Sequence, residues 1–442
     1  MNRSEIAFCF AALMLVFGWS SPLIAQQAQT KISKMDRDEV QQMLTTISDD
    51  VKKHYYDKNL HGVDWNANVK SFETRIDNSA SLNRGLSEVA AALDVLNDSH
   101  TFFLPPPRPY KHSYGWTISM IGAKCFVLQV KPGSDAEKKG VKAGDEVLTI
   151  NGFTPARENL WKMNYVFDVL RPQPALRVAL QTPEGEHKEV DIVAAMRELP
   201  KVKDLTGDGI WEYFREIENN THESRMRWAR TNDGVMILKF PSFVYMQSQV
   251  YDVMNQARKN QSLIIDLRGN GGGSIETLRE FLNNFFDHEV KIADRQMRGN
   301  GKPEMVRPHS KNVFAGKLFV LVDSRSASAS EILARVVQLE KRGTVLGDQS
   351  AGAVMESIRY NYHIGFETRL FYGASITEAD LIMTDGKSLE KVGVTPDEVL
   401  LVSPKDLAAG RDPVMARAVE LAGGKMSPEA AGKLFPYEWP QD

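Results

Sequence analysis

Leu318-Phe319-Val320-Leu321-Val322-Asp323-Ser324-Arg325-Ser326-Ala327-Ser328-Ala329-Ser330-Glu331-Ile332 carries two periodicities in one short stretch. Residues 318 to 322 are an unbroken apolar run, the pattern of a strand buried on both faces. From Ile332 onward, Leu333, Val336, Val337 and Leu339 recur at helical spacing. Ser326, Ser328 and Ser330 therefore fall on a tight strand-to-helix junction. A helix N-terminus offers unpaired amides and partial positive charge, which suits a serine whose neighbours must hold an oxyanion. The same serines also read as N-caps beside small packing alanines, and this segment alone does not separate the two.

Upstream, the same grammar repeats. Gly234 to Phe240 reads as a strand, followed by Pro241-Ser242-Phe243 and a helix carrying Val250, Val253, Met254 and Ala257. Ser262 to Arg268 is a buried strand running into Gly269-Asn270-Gly271-Gly272-Gly273, with Leu278, Phe281, Leu282 and Phe285 lining the next helix. Strands alternating with helices from about Lys201 predict an α/β core. The glycine loop approaches a dinucleotide fingerprint, with Asp287 downstream. Its last glycine is missing, and its strand ends in the charged Asp266 and Arg268. No Walker lysine, His-Glu-x-x-His, paired-cysteine or Gly-x-Ser-x-Gly motif occurs, so no metal or other cofactor is expected.

Residues 36–104 carry helical stripes, Val40, Leu44, Ile47 and Val51 in one and Leu82, Leu86, Val89, Leu93 and Leu96 in another. The second stripe runs out at Asn97-Asp98-Ser99-His100-Thr101. Pro105, Pro106, Pro107 and Pro109 then read as a stiff linker. Residues 110–195 alternate short β-like runs with turn signals, and Cys125 sits in one such run as a buried side chain.

The address is written at the start. Arg3 precedes the apolar run Ile6 to Trp19, and small residues lead to Ala25, the layout of a secretory signal over residues 1–25. The expectation is an exported chain, periplasmic or secreted, with no membrane span after cleavage; a retained N-terminal anchor is the alternative. Cys9 would leave with the signal, so Cys125 has no partner for an internal disulfide. A net charge of -3 over 442 residues argues against nucleic acid or a polybasic membrane surface as main partner.

Gly140-Val141-Lys142-Ala143-Gly144-Asp145-Glu146-Val147-Leu148-Thr149-Ile150-Asn151-Gly152, with Gly133-Ser134-Asp135-Ala136 before it, resembles the signature of a PDZ domain. Such domains add a C-terminal peptide to a sheet edge and hold its carboxylate on backbone amides. The resemblance puts that role on Tyr114-Gly115-Trp116-Thr117-Ile118; a β module used only as a spacer is the plain alternative.

In chain order, this module, Lys239-Phe240-Pro241-Ser242-Phe243, Asp266 to Gly273, Ser326 to Glu331 and Gly393-Val394-Thr395-Pro396-Asp397 resemble the C-terminal processing (tail-specific) peptidases and their tricorn-core relatives. The likeness runs from Asp36 to about Val402. It implies an α/β multidomain fold: a helical N-terminal region (36–104), a PDZ domain (110–195) and a crotonase-like or ClpP-like serine-protease core (200–425). Ser328 would be the nucleophile. The oxyanion hole would combine the amide of Ala329 with that of Gly272 or Gly273.

One departure stands out. The lysine of the Ser-Lys peptidases is replaced by Ala353, and the usual glutamine a turn later is Ser357. The tricorn-like branch offers another base, because Ser99-His100 matches its Ser-His element and Glu390 its orienting glutamate. Glu367, Glu378 and Glu398 compete for that last role. A histidine base implies an acid limb at roughly pH 6 to 7.5. The expected function is an exported serine endopeptidase acting on proteins or peptides with free C-termini, homo-oligomerisation being left open. The rival is a non-catalytic binder of apolar ligands or peptides on the same fold.

Overall fold

Alternate residues of the central strands point to opposite faces, and both faces are covered. Met236, Leu238, Leu263, Ile265, Leu318, Val320 and Val322 pack into one apolar cluster with helices Gln247–Ala257, Ile275–Leu282 and Ala329–Leu339. Val235, Ile237, Ile264, Phe319, Leu321 and Leu346 join helix Pro413–Leu421 on the other side. Burying each such side chain is worth about 1.5 to 3 kcal/mol, which holds the strands between two helical layers. The computed structural model describes residues 32–198, 225–308, 312–365 and 369–439. The signal assignment at 1–25 with Cys9, the core's starting point at 200 and Glu367 lie outside these residues.

The central sheet has the order Glu398–Val399, Thr344–Gly347, Lys317–Val322, Ser262–Asp266, Val235–Lys239, Arg227–Arg230. All neighbours are parallel except the Arg227–Arg230 edge. A five-stranded sheet lies beside it, built on the long strand Leu370–Met383.

Three helices form the N-terminal region: Lys34–His54, Trp65–Asp77 and Leu82–Asp94. The first is started by a capping box, the Ser33 hydroxyl accepting from the Asp36 amide at 3.0 Å, a contact worth about 1 kcal/mol. Its stripe, Val40, Met43, Leu44, Ile47 and Val51, is buried. Beyond the third helix the chain does more than link two domains. Phe102–Leu104 pairs antiparallel with Leu370–Met383, Phe103 opposite Ala374, and so enters the second sheet of the core.

Residues within 110–195 form a five-stranded antiparallel sheet, Trp116–Ile121, Lys124–Val130, Glu146–Ile150, Ala175–Gln181 and His187–Val193 in that order. Tyr110–Ser113 and Ala195–Glu198 pair at its neck. Cys125 is buried, and burial pushes its thiol up to about 12.

Candidate active site

Two loops leave the carboxyl ends of the neighbouring strands Ser262–Asp266 and Lys317–Val322, where open parallel sheets place their sites. Asn270, fully buried, ties them together. Its Nδ2 donates to the Phe240 carbonyl (2.7 Å) and its Oδ1 accepts from the Gly272 amide (2.8 Å). Its carbonyl accepts from the Ala327 amide (3.0 Å) and the Ser330 hydroxyl (2.9 Å). The Ser326 hydroxyl donates to the Leu267 carbonyl at 2.8 Å. Ser326 and Ser330 are thus buried and committed to main-chain carbonyls, whereas Ser328 is only partly buried.

Ser328 stands at φ 56°, ψ -119°, a backbone state that costs about 1 to 3 kcal/mol and persists only where neighbours impose it. Gly272 is one such neighbour. A Cβ there, at φ 99°, would lie 2.6 Å from the Ser328 Cβ and 3.2 Å from the Ala329 nitrogen, so only glycine permits the approach. Ala329 opens its helix, where amides have no acceptor one turn back. The Gly272 amide is already spent on Asn270. Gly273 bridges Phe243 in parallel fashion, its flanking groups making the bonds, so its own amide faces away from Phe243. Of the two glycines, Gly273 is therefore the better-placed donor.

The histidine comes from the other side. After the helix ends, Asn97 (φ 54°) turns the chain and Asp98 fixes it. The buried Asp98 Oδ1 accepts from the amides of His100 (2.8 Å) and Thr101 (2.7 Å) and from Thr377 Oγ1 (2.7 Å); Oδ2 accepts from the Tyr55 hydroxyl (2.9 Å). Ser99 Oγ donates to Glu390 Oε2 at 2.7 Å and lies 2.7 Å from His100 Nδ1. A hydroxyl has one proton, and Glu390 receives it. Ser99 therefore accepts from Nδ1–H, leaving the Nε2 lone pair free as a base. Burial lowers the His100 pKa, Asp98 opposing and Lys391 reinforcing. Burial raises that of Glu390 against its hydrogen bonds.

The two arms meet on the loop from Ser350 to Val354. The Ser328 amide donates to the Ala353 carbonyl at 2.8 Å, and the next amide, Val354, donates to Glu390 Oε2 at 2.9 Å. Glu331, fully buried, accepts from Ser350 Oγ (2.6 Å), Gly352 N (2.8 Å), Ala353 N (3.0 Å) and Ser328 N (3.0 Å). Burial pushes its carboxyl up to about 7, while the four donors favour its charged form. Glu378 bonds Tyr360 and Glu398 bonds Arg417, so neither takes the place of Glu390 beside Ser99.

A groove of about 640 Å³ opens beside the edge strand of the β module. Tyr114, Trp116, Thr117, Ile118 and Phe167 line it, and Arg325, on the turn before Ser328, also reaches it. Gly115 (φ 71°) turns the chain there, where a Cβ would fall 2.3 Å from that of Ser134. The module docks on the core through Ser324 Oγ, which donates to the Met120 carbonyl at 2.6 Å, and through Arg157, which bonds Asp348 at 2.5 Å. Among the described residues no group of three or more His, Cys, Asp or Glu side chains is arranged to hold a metal ion.

Comparison with known proteins bears on this geometry. Residues 234–400, which hold both loops and Glu390, match peptidase family S41. S41 relatives are serine peptidases, and residues 36–84 also match the tricorn protease C1 domain. The tail-specific protease of Haemophilus influenzae is 23% identical over 326 residues, covering 68% of this chain and 43% of the relative. The chloroplastic C-terminal processing peptidase of Tetradesmus obliquus is 26% identical over 380 residues, covering 81% and 77%. The chain thus spans less than half of the first relative's length and about three quarters of the second's. The crystal structure of mature CPAF shares the fold, with a TM-score of 0.63 at 14% identity over 85% of this chain and 94% of that one.

Sequence reasoning missed three residues that build this candidate site. Glu331 had a signal, since Ser328-x-x-Glu331 is a capping-box spacing. Asn270 and Asp98 had none beyond their places in the quoted motifs, because their partners lie far along the chain.

Proposed function

We propose that this chain is an exported serine endopeptidase with Ser328 as nucleophile and His100 as general base, recruiting substrates by their free C-termini. One observation carries the reading: consecutive residues, Ala353 and Val354, bind the nucleophile's amide and the carboxylate that orients the Ser99–His100 pair. His100 Nε2 takes the Ser328 proton as Oγ attacks the scissile carbonyl. Ser99 and Glu390 stabilise the imidazolium, the amides of Ala329 and Gly273 receive the oxyanion, and His100 then protonates the leaving amine. Export rests on the leader-like start of the sequence. The groove between the Trp116–Ile121 edge and Phe167 is the place for a C-terminal peptide added as a strand.

Fluorophosphonate labelling of the full chain tests the assignment. Label should map to Ser328 and vanish in Ser328→Ala with the circular-dichroism spectrum unchanged. A folded wild-type protein that takes no label, or takes it elsewhere, overturns the reading in favour of a non-catalytic binder.

A further inference from the structure

The loop from Ser350 to Val354 is gripped from two directions. Glu331, on the first turn of the nucleophile helix, accepts from the amides of Gly352 and Ala353 and the hydroxyl of Ser350. Glu390 takes the very next amide, Val354, on the oxygen that also accepts from Ser99. The loop is therefore the physical link between Ser328 and the histidine arm. Ser350 extends it, since its hydroxyl accepts from the Val394 amide at 2.6 Å, and the Lys391 amide donates to the Gly352 carbonyl at 2.8 Å.

We propose that Glu331 is a positioning residue for peptide hydrolysis: its carboxylate locks the strained Ser328 turn to the Ser350–Val354 loop and so sets the nucleophile's distance from the base. This rests on Ser328 being the nucleophile. Four donors converge on two oxygens, a set only an ionised carboxylate satisfies. A glutamine of the same shape turns two N–H donors toward groups that are themselves donors, and one end of the clamp must open. The clamp also occupies the backbone of Ala353, where Ser-Lys relatives are expected to carry their base. It fixes by hydrogen bonds a loop that here contributes no proton acceptor of its own.

Kinetics of Glu331→Gln, with Ser350→Ala as the milder cut that removes one of the four donors, test the idea on the full chain. Both are assayed well below their measured melting temperatures. For Glu331→Gln, kcat and the fluorophosphonate labelling rate should fall about 100-fold while KM stays within about threefold, because a displaced nucleophile loses reactivity without losing the substrate cleft. Ser350→Ala should fall about tenfold in the same direction. A folded Glu331→Gln that is labelled at the wild-type rate overturns the proposal, as does a Ser350→Ala whose loss lies wholly in KM. If wild type itself is not labelled at Ser328, the nucleophile assignment has failed instead, and the two failures are distinguished. Should Glu331→Gln not fold, Ser350→Ala decides alone.

Discussion

Ser99 and Glu390, 291 positions apart, are joined twice: the Ser99 amide donates to Oε1 at 2.8 Å and its hydroxyl to Oε2 at 2.7 Å. The arrangement dictates the imidazole tautomer. His100→Ala should lower turnover by about three or more orders of magnitude, since it removes the proton acceptor. Glu390→Gln should cost about 100-fold or more. Both carboxylate oxygens face backbone donors, so the new amide group clashes whichever way it turns. Ser99→Ala should cost about 10- to 100-fold by loosening the ring. Steady-state turnover of the three variants checks the order, and a Glu390→Gln enzyme at wild-type rate refutes the relay.

The pH profile should show two acid-side groups. Burial holds His100 below its ordinary value of 6.5, so its limb falls lower than an exposed imidazole would give. Glu331, pushed up to about 7, must be ionised to keep its clamp. The log of kcat/KM should therefore fall with a slope of about one just under neutrality, steepening toward two at lower pH. One shallow limb over the whole acid side removes one of the groups. On stability they act in opposite senses. The His100 contribution is present above 6.5 and is lost as pH falls through its lowered value. The Glu331 contribution is present below 4.5 and is lost as pH rises through about 7. Glu331→Gln should abolish the second dependence in urea titrations.

Much of the core was legible because parallel strands buried on both faces read as unbroken apolar runs, as Leu318 to Val322 does. Ser328 and the glycine loop were legible for a related reason: strand ends and glycines mark where a backbone must turn sharply. Less visible was the entry of Phe102–Leu104 into the core's second sheet, since three residues carry too little periodicity to declare a partner about 270 positions away. Glu331 stood in plain sight beside Ser328. Its role depends largely on the amides of Gly352, Ala353 and Ser328, and backbone donors leave no trace in side-chain identity.

Close approach at Gly272 yields a third expectation. Gly272→Ala places a methyl group 2.6 Å from the Ser328 Cβ and 2.9 Å from the Ala327 carbonyl oxygen, on a backbone at φ 99°. The loop and Ser328 must separate, and about 100-fold in kcat should go with them if Ser328 acts as proposed. The fold should survive, because the apolar layers lie beneath the loop. Labelling rate and thermal melting measured together check this. An active Gly272→Ala would mean that the loop does not press on Ser328.

The groove beside Trp116 supplies the last prediction. Gly115 leads into Trp116–Ile121, the outer strand of its sheet among the described residues, and the apolar Phe167 lines the same groove, so an extended peptide can add its backbone along the Trp116 end of that strand. A terminal carboxylate would then meet the amides at the Tyr114-Gly115-Trp116 turn. Full-length Ser328→Ala protein, which binds without cutting, is the reagent. Peptides ending in an apolar residue with a free carboxylate should bind about tenfold or more tightly than the same peptides amidated, because charge-assisted hydrogen bonds to backbone amides are lost. Gly115→Val should weaken the free form toward the amidated one, since its Cβ would fall 2.3 Å from that of Ser134 and displace the turn. Calorimetry with both peptides reads the difference directly. Equal affinity for free and amidated ends would remove carboxylate recognition from this groove, and the module would then serve as a spacer docked on the core through Ser324 and Arg157.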